Sequence, residues 1–164
     1  MRGHALTKFL SLFAAAALIA AACGIGVQAQ TPDATPATKE QAVAMVQKAV
    51  AFIKAQGPEK GYAAIDDKSG QIVQGDLYIA VVGFDGTLLA YGTDAADHVG
   101  DNVMNLKDTD GKEVVKERLE LAKQEPGFWQ SYKFMNPVTK TVEPKQMYCE
   151  RLEETVVCGG IYQK

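Results

Sequence analysis

The chain has 164 residues, of which 47% are hydrophobic and 23% are charged, and its formal net charge is −3. This length suffices for one domain with one hydrophobic core and is too short for two. The acidic balance and the lack of any basic run beyond the N-terminal region argue against a protein that binds nucleic acid or anionic membrane surfaces.

The first 29 residues have the pattern of a secretory signal peptide. Arg2 and Lys8 flank the start of an apolar run, and Val27 and Ala29 lie at the positions that a signal peptidase reads. We therefore predict cleavage after Ala29, which removes two positive charges and leaves a periplasmic or secreted protein. Two alternatives remain open, a retained membrane anchor and a lipoprotein attached through Cys23.

We predict a flexible leader over residues 30–37, followed by a helix. Thr38 precedes Gln41 by three residues, which is the spacing of a capping box. Apolar side chains then recur at helical spacing up to Gly57-Pro58, so we predict a helix that ends near Gln56. Its apolar positions are Val43, Val46, Val50 and Ile53. The next stretch, EKGYAAIDD, is either a short helix or a turn.

Beyond Gly75 the apolar pattern becomes that of strands. The segments LYIAVV and TLLAYG, separated by the turn residues FDG, predict a hairpin. After a polar loop, Asp110 is expected to cap a second helix, with Glu113 completing a capping box. Three more strands are predicted over residues 128–135, about 143–151, and 155–162.

These elements predict one α+β domain over residues 38–164. In it, the helices cover one sheet, most of whose strands lie in antiparallel hairpins.

Cys149 and Cys158 are the two cysteines that remain after cleavage, and an even number in an exported protein favours a disulfide. A tight turn at Glu153-Glu154 would place Cys149 opposite Cys158 in a hairpin. That pair falls at a non-hydrogen-bonded site, where the α-carbons are closest and a cross-strand disulfide fits. A metal or redox site is the alternative, but it lacks further ligands.

The sequence lacks the common catalytic and metal-binding patterns. His98 is the single histidine after Ala29, and there is no nucleophile elbow, phosphate-binding loop or zinc-protease motif. The segment DTDG lacks the remaining ligands of a calcium loop and is interpreted as the start of a helix. We therefore predict no cofactor, no metal and no enzymatic activity; a hidden enzyme would need a strongly perturbed titratable group in a cleft.

Five segments occur in the order and spacing of a known family. They are LYIAVVGFDGTLLAYG, VGDNVMNLKDTDGKEVVKERLELAK, GFWQSYKFMNP, PKQMY and VVCGGIY. In this respect the chain resembles a single Cache domain of the second type, the extracytoplasmic sensing domain of many bacterial chemoreceptors and sensor kinases. The resemblance covers residues 38–162 and implies a PAS-like fold. In this fold a long N-terminal helix packs on one face of a central antiparallel sheet of five to six strands, and a small-ligand pocket lies on the other face.

The resemblance also implies a ligand and a set of site residues. The implied ligand is a small organic acid, in particular a short-chain carboxylate, and the implied role is a soluble sensing domain that signals through a membrane sensor kinase or chemoreceptor. The alternative is a ligand-free interaction module that binds such a sensor or a second copy of itself. Two departures from the family pattern, Ala80 and Tyr91-Gly92, motivate this alternative. The residues expected to bind the ligand are Tyr78, Tyr91, Trp129, Tyr132 and Lys145.

Overall fold

The structure, a computed structural model, describes residues 37–67, 72–93 and 96–163. The predicted signal peptide and residues 30–36 of the predicted leader lie outside these residues. The helices are α1 (Lys39–Gln56), α2 (Pro58–Asp66) and α3 (Val114–Gln124). None of the helices in the described ranges is long and apolar enough to cross a membrane.

Helix α1 begins as the sequence predicts. The Thr38 side chain accepts from the Gln41 amide, and the Gln41 side chain accepts from the Thr38 amide, so both halves of the capping box are present. The helix ends before Gly57, whose φ of 86° is open to glycine. Val46, Val50 and Ile53 are buried, whereas Val43 is half-buried. The segment EKGYAAIDD, for which the sequence allows either a short helix or a turn, forms most of helix α2.

The described residues contain six strands, all paired antiparallel. They are β1 (Val73–Gln74), β2 (Leu77–Gly83), β3 (Leu88–Tyr91), β4 (Gly127–Met135), β5 (Val142–Leu152) and β6 (Thr155–Tyr162). Along the sheet the order is β1-β2-β6-β5-β4, and β3 also pairs with β2. The α+β fold with a helix-covered antiparallel sheet is therefore confirmed, with the two-residue strand β1 as an addition.

The sheet separates two hydrophobic clusters. On one face, α1 and α2 pack on side chains such as Ile79, Val81 and Val157. On the other face, α3 packs on alternate residues of the same strands, among them Val82 and Cys158. This division follows from the strand period, because successive side chains point to opposite faces.

The β5–β6 hairpin has the register that the cysteine spacing predicts. Cys149 pairs with Cys158 across the hairpin, and Leu152 pairs with Thr155 around the turn at Glu153-Glu154. The two cysteines form a disulfide with their α-carbons 4.1 Å apart, and both are fully buried. The predicted disulfide is therefore confirmed.

The predicted capping of α3 is wrong. The helix begins at Val114 after Glu113, which makes no side-chain cap hydrogen bond. Asp110 lies earlier, in a turn where the Asp108 carboxylate accepts from the amides of Asp110 and Lys112. Because Asp108 takes these amides into a loop, the helix starts later than the capping-box spacing suggests.

Candidate functional site

A cavity of about 560 Å³ lies on the α3 face of the sheet. Strands β2, β3, β4 and β5 form one wall, α3 forms another, and the loop between β3 and α3 supplies His98, Val103 and Leu106. That loop is held against the β2–β3 turn, because the Asn102 side chain donates to the Asp85 carbonyl. Gly86 in this turn has a φ of 86°, and a Cβ there would lie 2.8 Å from the Cβ of Met104. The Asp-Gly turn thus permits the close approach that closes this side of the cavity.

A cluster of tyrosine hydroxyls forms the polar end of the cavity. The Tyr78 hydroxyl lies 3.1 Å from that of Tyr91 and 3.3 Å from that of Tyr162. Tyr162 donates to the Met135 carbonyl at 2.8 Å. Burial raises the pKa of Tyr78 well above its ordinary value and also raises the pKa of Tyr91 and Tyr162. These phenols therefore remain neutral near pH 7 and can donate hydrogen bonds.

Lys145 lies directly behind this cluster. Its side chain is 1% exposed, and its Nζ donates to the hydroxyls of Tyr78 at 2.7 Å and Tyr162 at 3.2 Å. Burial, followed by the nearby positive charge of Arg118, holds the pKa of this amine well below its usual range. The alkyl chain crosses Gly160, where a Cβ would lie 2.7 Å from the lysine Cε. Glycine at this position leaves room for the lysine.

Arg118 is a second buried cation at the cavity, and the sequence prediction missed it. It lies on α3, is 5% exposed and lines the cavity wall. Its Nε donates to Gln130 at 3.1 Å, and Gln130 in turn donates to Glu117 at 2.6 Å and to the Val114 carbonyl at 2.8 Å. The sequence did contain one signal that Arg118 is buried. Arg118 follows Val114 by four residues, so it lies on the same face of α3 as the apolar side chains.

The structure brings four of the five predicted site residues to one region. Tyr78, Tyr91 and Tyr132 line the cavity, and Lys145 contacts it through Tyr78. The Tyr132 hydroxyl donates to the Met147 sulfur at 3.4 Å, so it also contributes to the core.

The structure does not bring Trp129 to the cavity. Its ring is 37% exposed on the opposite face of β4, 5.4 Å from the Tyr148 ring and 5.1 Å from the Lys39 amine. Alternation along the strand accounts for this, because Trp129 has the opposite parity to Gln130 and Tyr132.

No set of three or more His, Cys, Asp or Glu side chains in the described ranges is arranged to hold a metal ion. His98 lies at the mouth of the cavity, where its Nδ1 is 3.0 Å from Asp101.

Comparison with known families assigns the fold. The family model described as Single Cache domain 2 matches residues 25–163. The chain belongs to this Cache family. No curated protein matches it. Ala80 and Tyr91, the two departures noted in the sequence, both lie in the wall of the Cache cavity.

Solved structures show the same Cache fold. A methyl-accepting chemotaxis protein from Vibrio parahaemolyticus RIMD 2210633 has a TM-score of 0.65 at 20% identity, covering 76% of this chain and 87% of that one. A Cache chemosensory domain, whose structure is described as the basis for carboxylic acid recognition, has a TM-score of 0.63 at 18% identity, covering 76% and 92%. A periplasmic sensor domain of a chemotaxis protein has a TM-score of 0.61 at 16% identity, covering 76% and 90%.

Proposed function

We propose that this chain is a periplasmic ligand-binding domain that senses a small organic carboxylate and signals its occupancy to a membrane sensor kinase or chemoreceptor. The observation that carries the proposal is the pair of buried basic side chains at one cavity, the Arg118 guanidinium and the Lys145 amine, whose charged forms an anion would favour. Within the described residues, no carboxylate forms an ion pair with either of them. A buried charge is unfavourable without a partner, and an anionic ligand in the cavity supplies one.

The tyrosine cluster suits the same ligand. The neutral phenol of Tyr78, which already accepts from Lys145, can turn its proton toward an anion in the cavity. Hydrogen bonds to a charged group contribute about 1.5–3 kcal/mol each, so two or three of them correspond to micromolar to millimolar affinity for a small acid. The carboxylic acid recognition described for one Cache neighbour supports this class of ligand, and the periplasmic and chemotaxis descriptions of the others support the location and the partner.

A ligand screen tests the proposal. Thermal-shift assays and calorimetry on the purified chain would compare carboxylates, amino acids and amines, and we expect carboxylates alone to raise the melting temperature. Lys145→Met and Tyr78→Phe should weaken binding, because the first removes the amine that donates to the hydroxyl cluster and the second removes one of its hydroxyls. Lys123→Gln is the matched control, since Lys123 is an exposed cation on α3 paired with Glu120.

The screen also separates the alternatives. If no carboxylate binds, the proposal fails, and the ligand-free interaction module becomes the better account. A hidden enzyme would use the same perturbed groups to convert the acid. Under the binding proposal, the bound acid should instead be recovered chemically unchanged. Retention of a chemoreceptor or kinase ectodomain on the immobilised chain should depend on the acid.

A further inference from the structure

The cavity is much larger than a two- or three-carbon acid needs. A volume of about 560 Å³ equals the liquid volume of about nineteen water molecules at about 30 Å³ each. Pockets of about 300–1,000 Å³ generally hold ligands of drug size. Acetate has four heavy atoms and would leave most of this space to water.

Most of the wall is apolar. The side chains between the polar groups are aliphatic or thioether groups, so water in this region has few hydrogen-bond partners. The main contributors are Val82, Leu88, Val114, Val115 and Met147. Ala80 enlarges the space on the sheet side, because its side chain is a single methyl group. Such a wall favours a ligand with an apolar body.

Arg118 is better placed than Lys145 to contact the anionic end of that ligand. Lys145 is separated from the cavity by the hydroxyls of Tyr78 and Tyr162, to which it donates. Arg118 lines the cavity itself, with its guanidinium carbon 5.6 Å from the centre of the Tyr132 ring.

The hydrogen bonds of Arg118 fix its orientation. Gln130 accepts from Nε, and Glu117 and the Val114 carbonyl hold Gln130 in place. The guanidinium thus lies beside Tyr132, whose side chain also interacts with it. A guanidinium held in this way matches a carboxylate geometrically.

We propose that the cavity takes a monocarboxylic acid with an aromatic or branched aliphatic body, whose carboxylate pairs with Arg118 and whose body lies against the apolar wall. This inference rests on the proposed function, since it specifies the ligand of the same site, and it departs from the short-chain acid that the sequence resemblance implies. Tyr78 then meets any hydroxyl or carbonyl group that the ligand carries, with Lys145 donating to the Tyr78 hydroxyl from behind.

A graded series of acids tests the size of the ligand. Calorimetry would compare acetate and propionate with 4-methylpentanoate, phenylacetate and 3-phenylpropanoate. We expect at least about a tenfold lower Kd for the three larger acids than for acetate, because each buried methylene adds to the affinity. Phenylacetamide, which has the same body without the charge, should lose about tenfold or more relative to phenylacetate.

Two variants test the two parts of the inference separately. Arg118→Gln should raise the Kd for phenylacetate by about tenfold to a hundredfold, whereas Arg118→Lys should keep part of the affinity and Lys123→Gln all of it. Ala80→Phe should narrow the cavity and therefore weaken phenylacetate binding by a larger factor than acetate binding. Circular dichroism of each variant checks that it is folded, and the conservative Arg118→Lys variant serves if Arg118→Gln does not fold.

The outcomes distinguish this inference from the proposed function. If acetate binds as tightly as the larger acids, or if Lys145→Met abolishes binding while Arg118→Gln and Arg118→Lys do not weaken it, the inference is overturned and the proposed function stands. If no acid in the series binds, both fall. Tighter binding of the larger acids together with the Arg118 loss supports the inference.

Discussion

Lys145 occupies surroundings that oppose its own charge. It contacts Tyr78 from β2 and Tyr162 from β6, both of which burial keeps neutral, and the positive charge of Arg118 on α3 acts on it from the same cavity. Asp76 acts in the opposite direction, but less strongly than burial and Arg118. Such a residue stabilises little in the empty domain, which agrees with the ligand-binding role proposed above for this cluster.

This burial makes a prediction about stability and pH. The folded-state pKa of Lys145 is lowered, so between that value and about 10.5 the unfolded chain binds more protons and the free energy of unfolding rises with pH. Lys145→Met removes this contribution. We expect the variant to be more stable than the wild type by about 1–4 kcal/mol at acidic pH, with the gap narrowing toward about pH 9.5.

Urea unfolding at several pH values from acidic pH to about pH 9.5 measures this difference in the free energy of unfolding between Lys145→Met and the wild type. The range stops below pH 10 because the raised pKa of Tyr78 adds a contribution of opposite sign above it. A gap that stays constant across the range would show that Lys145 is charged in the folded domain at every pH tested.

At the residue scale, the sequence supported some site predictions and misled others. The resemblance placed Lys145 and three tyrosines correctly near one cavity, although each one's role remains a proposal. Trp129 was included because the resemblance implies it, yet strand alternation already placed it on the face opposite Tyr132. Arg118 was missed because a lone arginine on a charged helix looks like a solvent-facing residue until the packing of that helix is known.

The β5–β6 hairpin is the element on which the cavity depends most directly. Lys145 and Met147 on β5 face the cavity, and the disulfide joins the next residue on that side, Cys149, to Cys158 on β6. The disulfide therefore holds the register that presents Lys145 to Tyr162. A slip of one residue would move Lys145 to the α1 face.

Loss of this disulfide should weaken the domain measurably. Cys149 and Cys158 are nine positions apart, and closing so short a loop contributes about 2–3 kcal/mol by the chain-entropy account. We expect reduction of the wild type to lower the free energy of unfolding by this amount in a denaturant titration. The double variant Cys149→Ala/Cys158→Ala is the control, because the reductant should not affect it. A wild type indifferent to reductant would contradict the prediction.

Helices and hairpins were predicted well where short-range sequence patterns determine them. The capping box of α1 and the hairpin turns have short-range causes that can be read from the sequence. The start of α3 depends on where the Asp108 carboxylate finds its amide donors, including the amide of Lys133 on a distant strand. Strand β1 has only two residues and is defined by its pairing with β2, so no local sequence pattern predicts it.

At the scale of the whole molecule, the sheet connects the cavity to the helical layer. Tyr78 and Ile79 are neighbours on β2, yet Tyr78 faces the cavity and Ile79 packs in the cluster beneath α1. A ligand that shifts β2 therefore acts on both faces through adjacent residues. This arrangement suits a sensing domain whose ligand occupancy is detected by another protein. Such a domain must lie in the compartment that contains the ligand.

Export of the whole chain is the last prediction. The buried disulfide fits an oxidising compartment, and the pattern of the first 29 residues predicts cleavage after Ala29. Expressed in a bacterium, the chain should accumulate in the periplasm with a mass that corresponds to Gln30 as the first residue. That mass should lie about two mass units below the dithiol form, because the disulfide removes two hydrogens. Ala29→Leu should slow cleavage, because a bulky residue replaces a small one at the cleavage position.

Cys23→Ala separates cleavage from lipidation. A cleaved protein keeps the same mature mass in this variant, because Cys23 has been removed with the leader. A lipoprotein would instead begin at Cys23, partition into detergent and lose that behaviour on substitution. Recovery of the uncleaved chain in the membrane fraction would favour the retained anchor and would contradict the prediction of a free periplasmic domain.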